Sequence, residues 1–157
     1  MAAATDVRRE QQFAFPFEGT LVTGRFDVLA RESPDRLLVV DYKTDRLDGS
    51  TSAALAEGEY GIQRLIYAIA ALRQAAAIGV PQLVEVVHLF LEAPGDAASE
   101  TYLAADLPDL ERELAQASAD LRAGVFEVAA TPGRSLCRGC PAEGGLCSWP
   151  PELTRRS

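Results

Sequence analysis

The sequence predicts an α/β fold: a mixed central β-sheet, built from an antiparallel meander and a crossover helix, with helices flanking it. Three observations predict it. Residues 11–43 read as three successive strand patterns separated by turn residues. An apolar helical period follows at about residues 58–78. A fourth strand pattern at 82–92 then precedes a second helical period at 107–123. Strands, helix, strand and helix in that order return the chain to one sheet by a crossover.

Residues 1–9, MAAATDVRR, are small and polar with no period, and are expected to form a disordered start before a core at 10–130 and a cysteine-containing tail at 131–157. From Glu10, EQQFAFPF alternates, with Phe13, Phe15 and Phe17 on one side. Pro16 has no N–H to donate, so an edge position or a short strand is expected. Glu18-Gly19 supplies a turn, after which Val22, Gly24, Phe26 and Val28 alternate with Thr23, Arg25 and Asp27. Ser33-Pro34-Asp35 turns the chain into Arg36–Lys43, whose LLVV run is expected of a strand buried on both faces.

Asp45–Leu55 is a polar connection. The following helix carries Ile62, Leu65, Ile66, Ile69 and Leu72 at helical spacing, and Gly79 suits its C-terminus. Gln63 and Tyr67 are four residues apart and share a flank, with Tyr60 one turn earlier. In QLVEVVHLFLE, Val84, Val86, His88 and Phe90 share one face and Leu83, Glu85, Val87, Leu89 and Leu91 the other. The lone His88 reads as a packed or partly exposed structural residue rather than a ligand. After a turn at Pro94-Gly95-Asp96, residues 101–104 suit a short fifth strand. The last helix has Asp106 as cap and Leu107, Leu110, Leu114, Ala117 and Leu121 as its apolar stripe.

With 157 residues and 48% hydrophobic composition, the chain suits one domain with a sizeable core. Its apolar runs are shorter than the roughly 18 to 20 residues of a membrane span, and it opens with no charged-then-apolar leader, so a cytoplasmic protein is expected. The net charge of −8 opposes tight nucleic-acid binding by the chain alone, which normally needs a basic footprint. An acidic cation site is compatible with that charge, because divalent ions neutralise it.

Chemistry concentrates at the ends of the second and third strands. Alternation puts Asp41 and Lys43 on one face and Tyr42 on the other. Asp27 falls opposite the Phe26 set, so a hairpin between the two strands brings it to the same face. Of the 15 basic residues only Lys43 is a lysine. A compact ammonium with an adjustable pKa does what guanidinium cannot. The D-x-K spacing by itself also fits a rim ion pair worth about 0 to 1 kcal/mol.

Gly24, Asp27, Asp41, Tyr42, Lys43 and Thr44, followed on the next helix by Gln63 and Tyr67, resemble the motif of the PD-(D/E)XK nuclease superfamily and its RecB-like branch. The resemblance covers about Glu10 to Cys147 and implies a restriction-endonuclease-like fold and metal-dependent hydrolysis of DNA. It further implies Asp27, Asp41 and the Tyr42 backbone carbonyl as ligands of Mg²⁺ or Mn²⁺, and Lys43 as the residue that orients water or neutralises the transition state. Glu10 matches an acidic position before the motif, and Gln63 and Tyr67 match a pair that contacts the DNA strand. Cys137, Cys140 and Cys147, with Pro141, match the trailing three ligands of a 4Fe-4S cluster held by one group of this branch. A fourth cysteine is absent from the sequence, which leaves cluster, zinc or free thiols open. Such nucleases act in recombination and repair and are joined to a helicase domain or subunit. The alternative is a truncated, non-catalytic nuclease-fold module serving DNA binding or structure.

Overall fold

The structure, a computed structural model, describes residues 4–77, 83–125, 137, 140, 142, 147, 149 and 150. Strands β1 (Thr5–Phe17), β2 (Thr20–Ser33) and β3 (Arg36–Lys43) form the antiparallel meander. Glu18 and Gly19 both have positive φ, 47° and 76°, as a two-residue hairpin turn whose twist matches the strands requires. Helix α1 (Ser52–Ala77) crosses to β4 (Leu83–Phe90), which pairs in parallel with β3. Strand β5 (Ala98–Leu103) returns antiparallel to β4, giving the order β1-β2-β3-β4-β5. A 3₁₀ turn at Ala104–Asp106 leads into α2 (Leu107–Ala117), and α3 (Ala119–Ala123) follows. This mixed five-stranded sheet with flanking helices is the fold class expected from the sequence. Pro16 lies on the edge strand, where its missing N–H is harmless.

Two compact units divide the chain, Met1–Ala119 and Asp120–Ser157. In the first, α1 and α2 cover one face of the sheet. Phe13, Phe15, Phe26, Leu29 and Val39 meet Leu65, Ile69, Leu72, Leu110 and Leu114 in one apolar core. In the second, Gly124 has φ 70°, its N–H bonds the Leu121 carbonyl, and the Val125 N–H reaches the Asp120 carbonyl. That pair of bonds closes the helix C-terminus as a Schellman motif, the conformation for which glycine is best suited. Among the described residues no helix is long and apolar enough to cross a membrane.

Several local expectations are corrected. The strand expected from Glu10 begins at Thr5, because the long β2 offers main-chain partners to Thr5, Arg8 and Arg9, and such hydrogen bonds need no apolar period. Helix α1 begins at Ser52 rather than near Gly58. The Thr51 hydroxyl accepts from the Ala54 N–H at 3.2 Å and Asp96 from the Ser52 N–H at 3.2 Å, which satisfies orphan donors of the first turn. The LLVV run is buried on one face only: Leu37 and Val39 lie in the core, whereas Leu38 and Val40 are half-buried. Ile62 and Leu121 are exposed rather than in the apolar stripes. The helix expected over 107–123 breaks at Ser118, whose hydroxyl bonds the Leu114 carbonyl at 2.7 Å and competes with the helical ladder. Asp106 accepts from the Leu103 N–H at 2.8 Å, so it closes the 3₁₀ turn and does not cap α2 with its side chain. Gly79 lies outside the described residues.

Candidate active site

The site lies where the sheet stops being regular. The pairs Arg9↔Val28 and Gln11↔Phe26 put Glu10 opposite Asp27, and Val28↔Val40, continued by one residue, puts Asp27 opposite Asp41. Asp41 in turn pairs with His88. Glu10, Asp27, Asp41 and His88 thus form one row across four strands. The ladder is interrupted within that row: Glu10 has φ 52°, and the β2–β3 pairing runs no further than Val28↔Val40. Phe26 and Leu29 both enter the core although three residues apart, so the alternation of β2 breaks between them, at Asp27 and Val28.

Asp27 fills the gap. One of its carboxylate oxygens accepts the Tyr42 N–H at 2.9 Å in place of a strand partner. The N–H and C=O of one residue leave a strand on the same edge, so the Tyr42 carbonyl also faces the β2 side. The Lys43 carbonyl faces the other way and accepts from the Leu91 N–H at 2.9 Å.

Asp41 and Lys43 project together into the core side of the sheet, 4% and 8% exposed, with Lys43 Nζ 2.7 Å from Asp41 Oδ2. Burial of both charges makes the pair a poor source of stability, since desolvation offsets most of the attraction. Helix α1 supplies the neutral groups that make burial tolerable. Lys43 Nζ donates to Gln63 Oε1 at 2.6 Å, and Gln63 Nε2 donates to the Tyr67 hydroxyl at 2.9 Å. The Tyr67 hydroxyl lies 3.1 Å from both Asp41 Oδ1 and the Arg25 carbonyl and has one proton to donate between them. Burial, then the Asp41 charge, pushes the Tyr67 phenol above its usual range, so it stays a neutral donor.

Of the residues singled out in the sequence, the structure brings Asp27, Asp41, Tyr42, Lys43, Gln63 and Tyr67 together. Glu10 shares their row, but its carboxylate is 2.8 Å from Arg25 Nε on the exposed side. Tyr67 is itself in the core, 7% exposed. Cys137 and Cys140 are half-buried and bracket one turn, in which the Cys140 N–H bonds the Cys137 carbonyl at 3.1 Å, and Cys147 is exposed. Among the described residues no three His, Cys, Asp or Glu side chains are grouped to hold a metal ion.

Three neighbours of this cluster carried no catalytic or binding expectation from the sequence. The Tyr60 ring lies beneath Lys43, with Nζ 3.6 Å from its centroid, and the Tyr60 hydroxyl donates to Asp45 Oδ2 at 2.7 Å. His88 is fully buried, stacked on Tyr60 at 5.6 Å between ring centroids. Burial, partly opposed by the Asp41 charge, pushes its pKa down to about 4. The parallel pairing of two apolar runs that each end in a polar residue is the one signal that could have aligned His88 with Asp41. Asp45 had none beyond its place two residues after Lys43.

The family model of the PD-(D/E)XK nuclease superfamily matches residues 2–145. No curated protein matches the chain. A solved structure described as "Crystal structure of SSO0001" aligns with 85% of the chain at 18% identity and a TM-score of 0.47, and the chain spans 57% of that structure's length. The family match runs through every strand of the sheet and both longer helices, and the chain belongs to the PD-(D/E)XK nuclease superfamily.

Proposed function

We propose that the chain is a metal-dependent DNA nuclease of the RecB-like branch, hydrolysing phosphodiester bonds at Asp27, Asp41 and Lys43. The observation that carries this reading is the interrupted ladder at Asp27, beside which a buried Asp41 and the chain's one lysine project from the end of β3. Such an arrangement weakens a sheet and buries charge, a cost expected at functional sites rather than in a plain scaffold.

The donor set suits a hard cation. Asp27 and Asp41 offer carboxylate oxygens, Tyr42 offers a carbonyl on the same edge, and Asp41 Oδ2 has no hydrogen bond beyond its ion pair with Lys43. Mg²⁺ needs only one or two carboxylates when water and substrate phosphate complete its shell, so a three-carboxylate group is not required. Bound there, Mg²⁺ or Mn²⁺ supplies an acidified water and charge stabilisation at the scissile phosphate. Lys43 carries a fixed positive charge to the place where negative charge develops. Gln63 orients that ammonium through Oε1, and Tyr67 orients Asp41. In this reading both act by positioning charged groups, since the Tyr67 hydroxyl is turned inward. Glu10 joins as a further carboxylate if it leaves Arg25.

The recombination and repair setting, and a helicase domain or subunit as partner, rest on the resemblance of the D-Y-K-T and cysteine motifs. The net charge of −8 agrees with a basic DNA channel supplied by a partner. Cys137, Cys140 and Cys147 fall one ligand short of a four-thiolate cluster, and no step of the reaction passes through them.

The test is cleavage of end-labelled linear DNA in Mg²⁺ or Mn²⁺, with EDTA as control. Wild type cuts and EDTA abolishes cutting, while Lys43→Ala loses about a hundredfold or more in kcat, the scale seen when one transition-state charge partner is removed. Equal rates for wild type and Lys43→Ala contradict the assignment. Inert wild-type chain favours the non-catalytic module instead.

A further inference from the structure

We propose that Tyr60 is a positioning residue for Lys43, its ring serving as the floor that holds the ammonium in place for phosphodiester hydrolysis. The inference rests on the nuclease reading above and extends it to a residue that the D-x-K and Q-x-x-x-Y patterns do not include.

Six contacts hold this part of the site. Lys43 Nζ lies 3.6 Å from the centroid of the Tyr60 ring, within the range over which a cation is drawn to an aromatic face. The ring is held at its hydroxyl by Asp45 Oδ2 at 2.7 Å and on its faces by His88, stacked at 5.6 Å, and Phe90 at 6.2 Å. Gln63, one turn along α1, accepts a hydrogen bond from the same ammonium at 2.6 Å through Oε1. Asp41 Oδ2 holds it from the sheet at 2.7 Å.

The division of labour follows from chemistry. A divalent cation held by Asp41 would compete with Lys43 for that carboxylate, and the ammonium would lose its one charged partner at 2.7 Å. A four-carbon side chain released in this way has many rotamers. Gln63 Oε1 and the Tyr60 face remain, and the ring is the wider of the two surfaces. Tyr60 therefore matters most when the cation site is filled, which is when Lys43 acts.

Because Lys43 is the chain's only lysine, the proposal can be read directly. Lysine labelled with ¹³C at the ε carbon gives one methylene resonance in the full-length chain. Ring-current shielding by Tyr60 predicts an upfield ε-methylene signal in wild type with and without Mg²⁺, retained in Tyr60→Phe and lost in Tyr60→Leu. In the cleavage assay Tyr60→Leu lowers kcat by about tenfold with little change in KM, and Tyr60→Phe, which keeps the ring and loses the Asp45 anchor, recovers most of that loss. Should Tyr60→Leu fail to fold, the wild-type signal decides alone: a resonance at the free-lysine position overturns the proposal. An upfield signal together with full activity in Tyr60→Leu overturns the positioning role. A wild type that shows the upfield signal and cuts no DNA overturns the nuclease reading, and the catalytic half of this proposal with it, while the contact stands.

Discussion

His88 has neither ring nitrogen hydrogen-bonded and no exposed surface, so its neutral form is the one the fold accommodates. Its pKa is pushed down to about 4 from an ordinary 6.5. A base with a depressed folded-state pKa binds its proton more readily when unfolded. As pH falls through 6.5 the unfolded chain takes up a proton that the folded chain refuses, and stability is lost until about pH 4, below which the loss levels off. Between pH 7 and pH 5 this amounts to about 2 kcal/mol. Urea midpoints at the two pH values, in EDTA, are expected to show that loss in wild type and not in His88→Gln; equal losses in both would remove His88 as the cause. Residues such as Asp41 and Lys43 were legible because period-two alternation alone places them on one face. Tyr60 was visible one turn from Gln63, yet its position under Lys43 depends on how α1 packs across β3, which no local pattern encodes.

Strand β2 carries the site's main irregularity, and its glycine shows how tightly that region is packed. A Cβ on Gly24 would stand 2.4 Å from the tip of the Phe13 ring, and that ring is itself wedged against Phe26 at 4.6 Å and Tyr67 at 5.9 Å between centroids. Gly24→Ala is expected to cost about 1 to 3 kcal/mol through overpacking, and the cost should shrink when Phe13→Leu is added, a coupling that a double-mutant cycle on urea midpoints measures. Simple addition of the two costs would place the strain elsewhere. The meander, the crossover helix and the return strand were all legible, since turn residues and a change of apolar period mark each boundary. Three features were not. The N-terminal part of β1 is held by main-chain bonds without an apolar signature, the first turn of α1 depends on Asp96 from a distant loop, and the reversal of faces after Phe26 violates the alternation from which strands are read. Alternation put Asp27 opposite Phe26 and on the face of Asp41, whereas Phe26 and Asp41 both lie on the core side, and the break in the ladder that lets Asp27 bond Tyr42 was invisible.

Across the first compact unit, the sheet sets the site's position by register and α1 sets its chemistry by covering it. Glu10, Asp27 and Asp41 come from three strands that the sequence separates by turns, and the antiparallel meander lines them up in one row beside His88 of β4. A chain with a charge of −8 carries no surplus of basic residues to hold DNA, so a divalent cation held by Asp27 and Asp41 would supply positive charge that these carboxylates and a substrate phosphate share. The proposed reaction needs a divalent cation held at the break in the sheet. Mn²⁺ binding followed by electron paramagnetic resonance, on wild type, Asp27→Asn and Asp41→Asn, tests it without reference to activity. A saturable site is expected in wild type, weakened about tenfold or more in each variant, as loss of one of few carboxylate ligands entails. Wild type that binds no Mn²⁺, or variants that bind it as tightly as wild type, would contradict it.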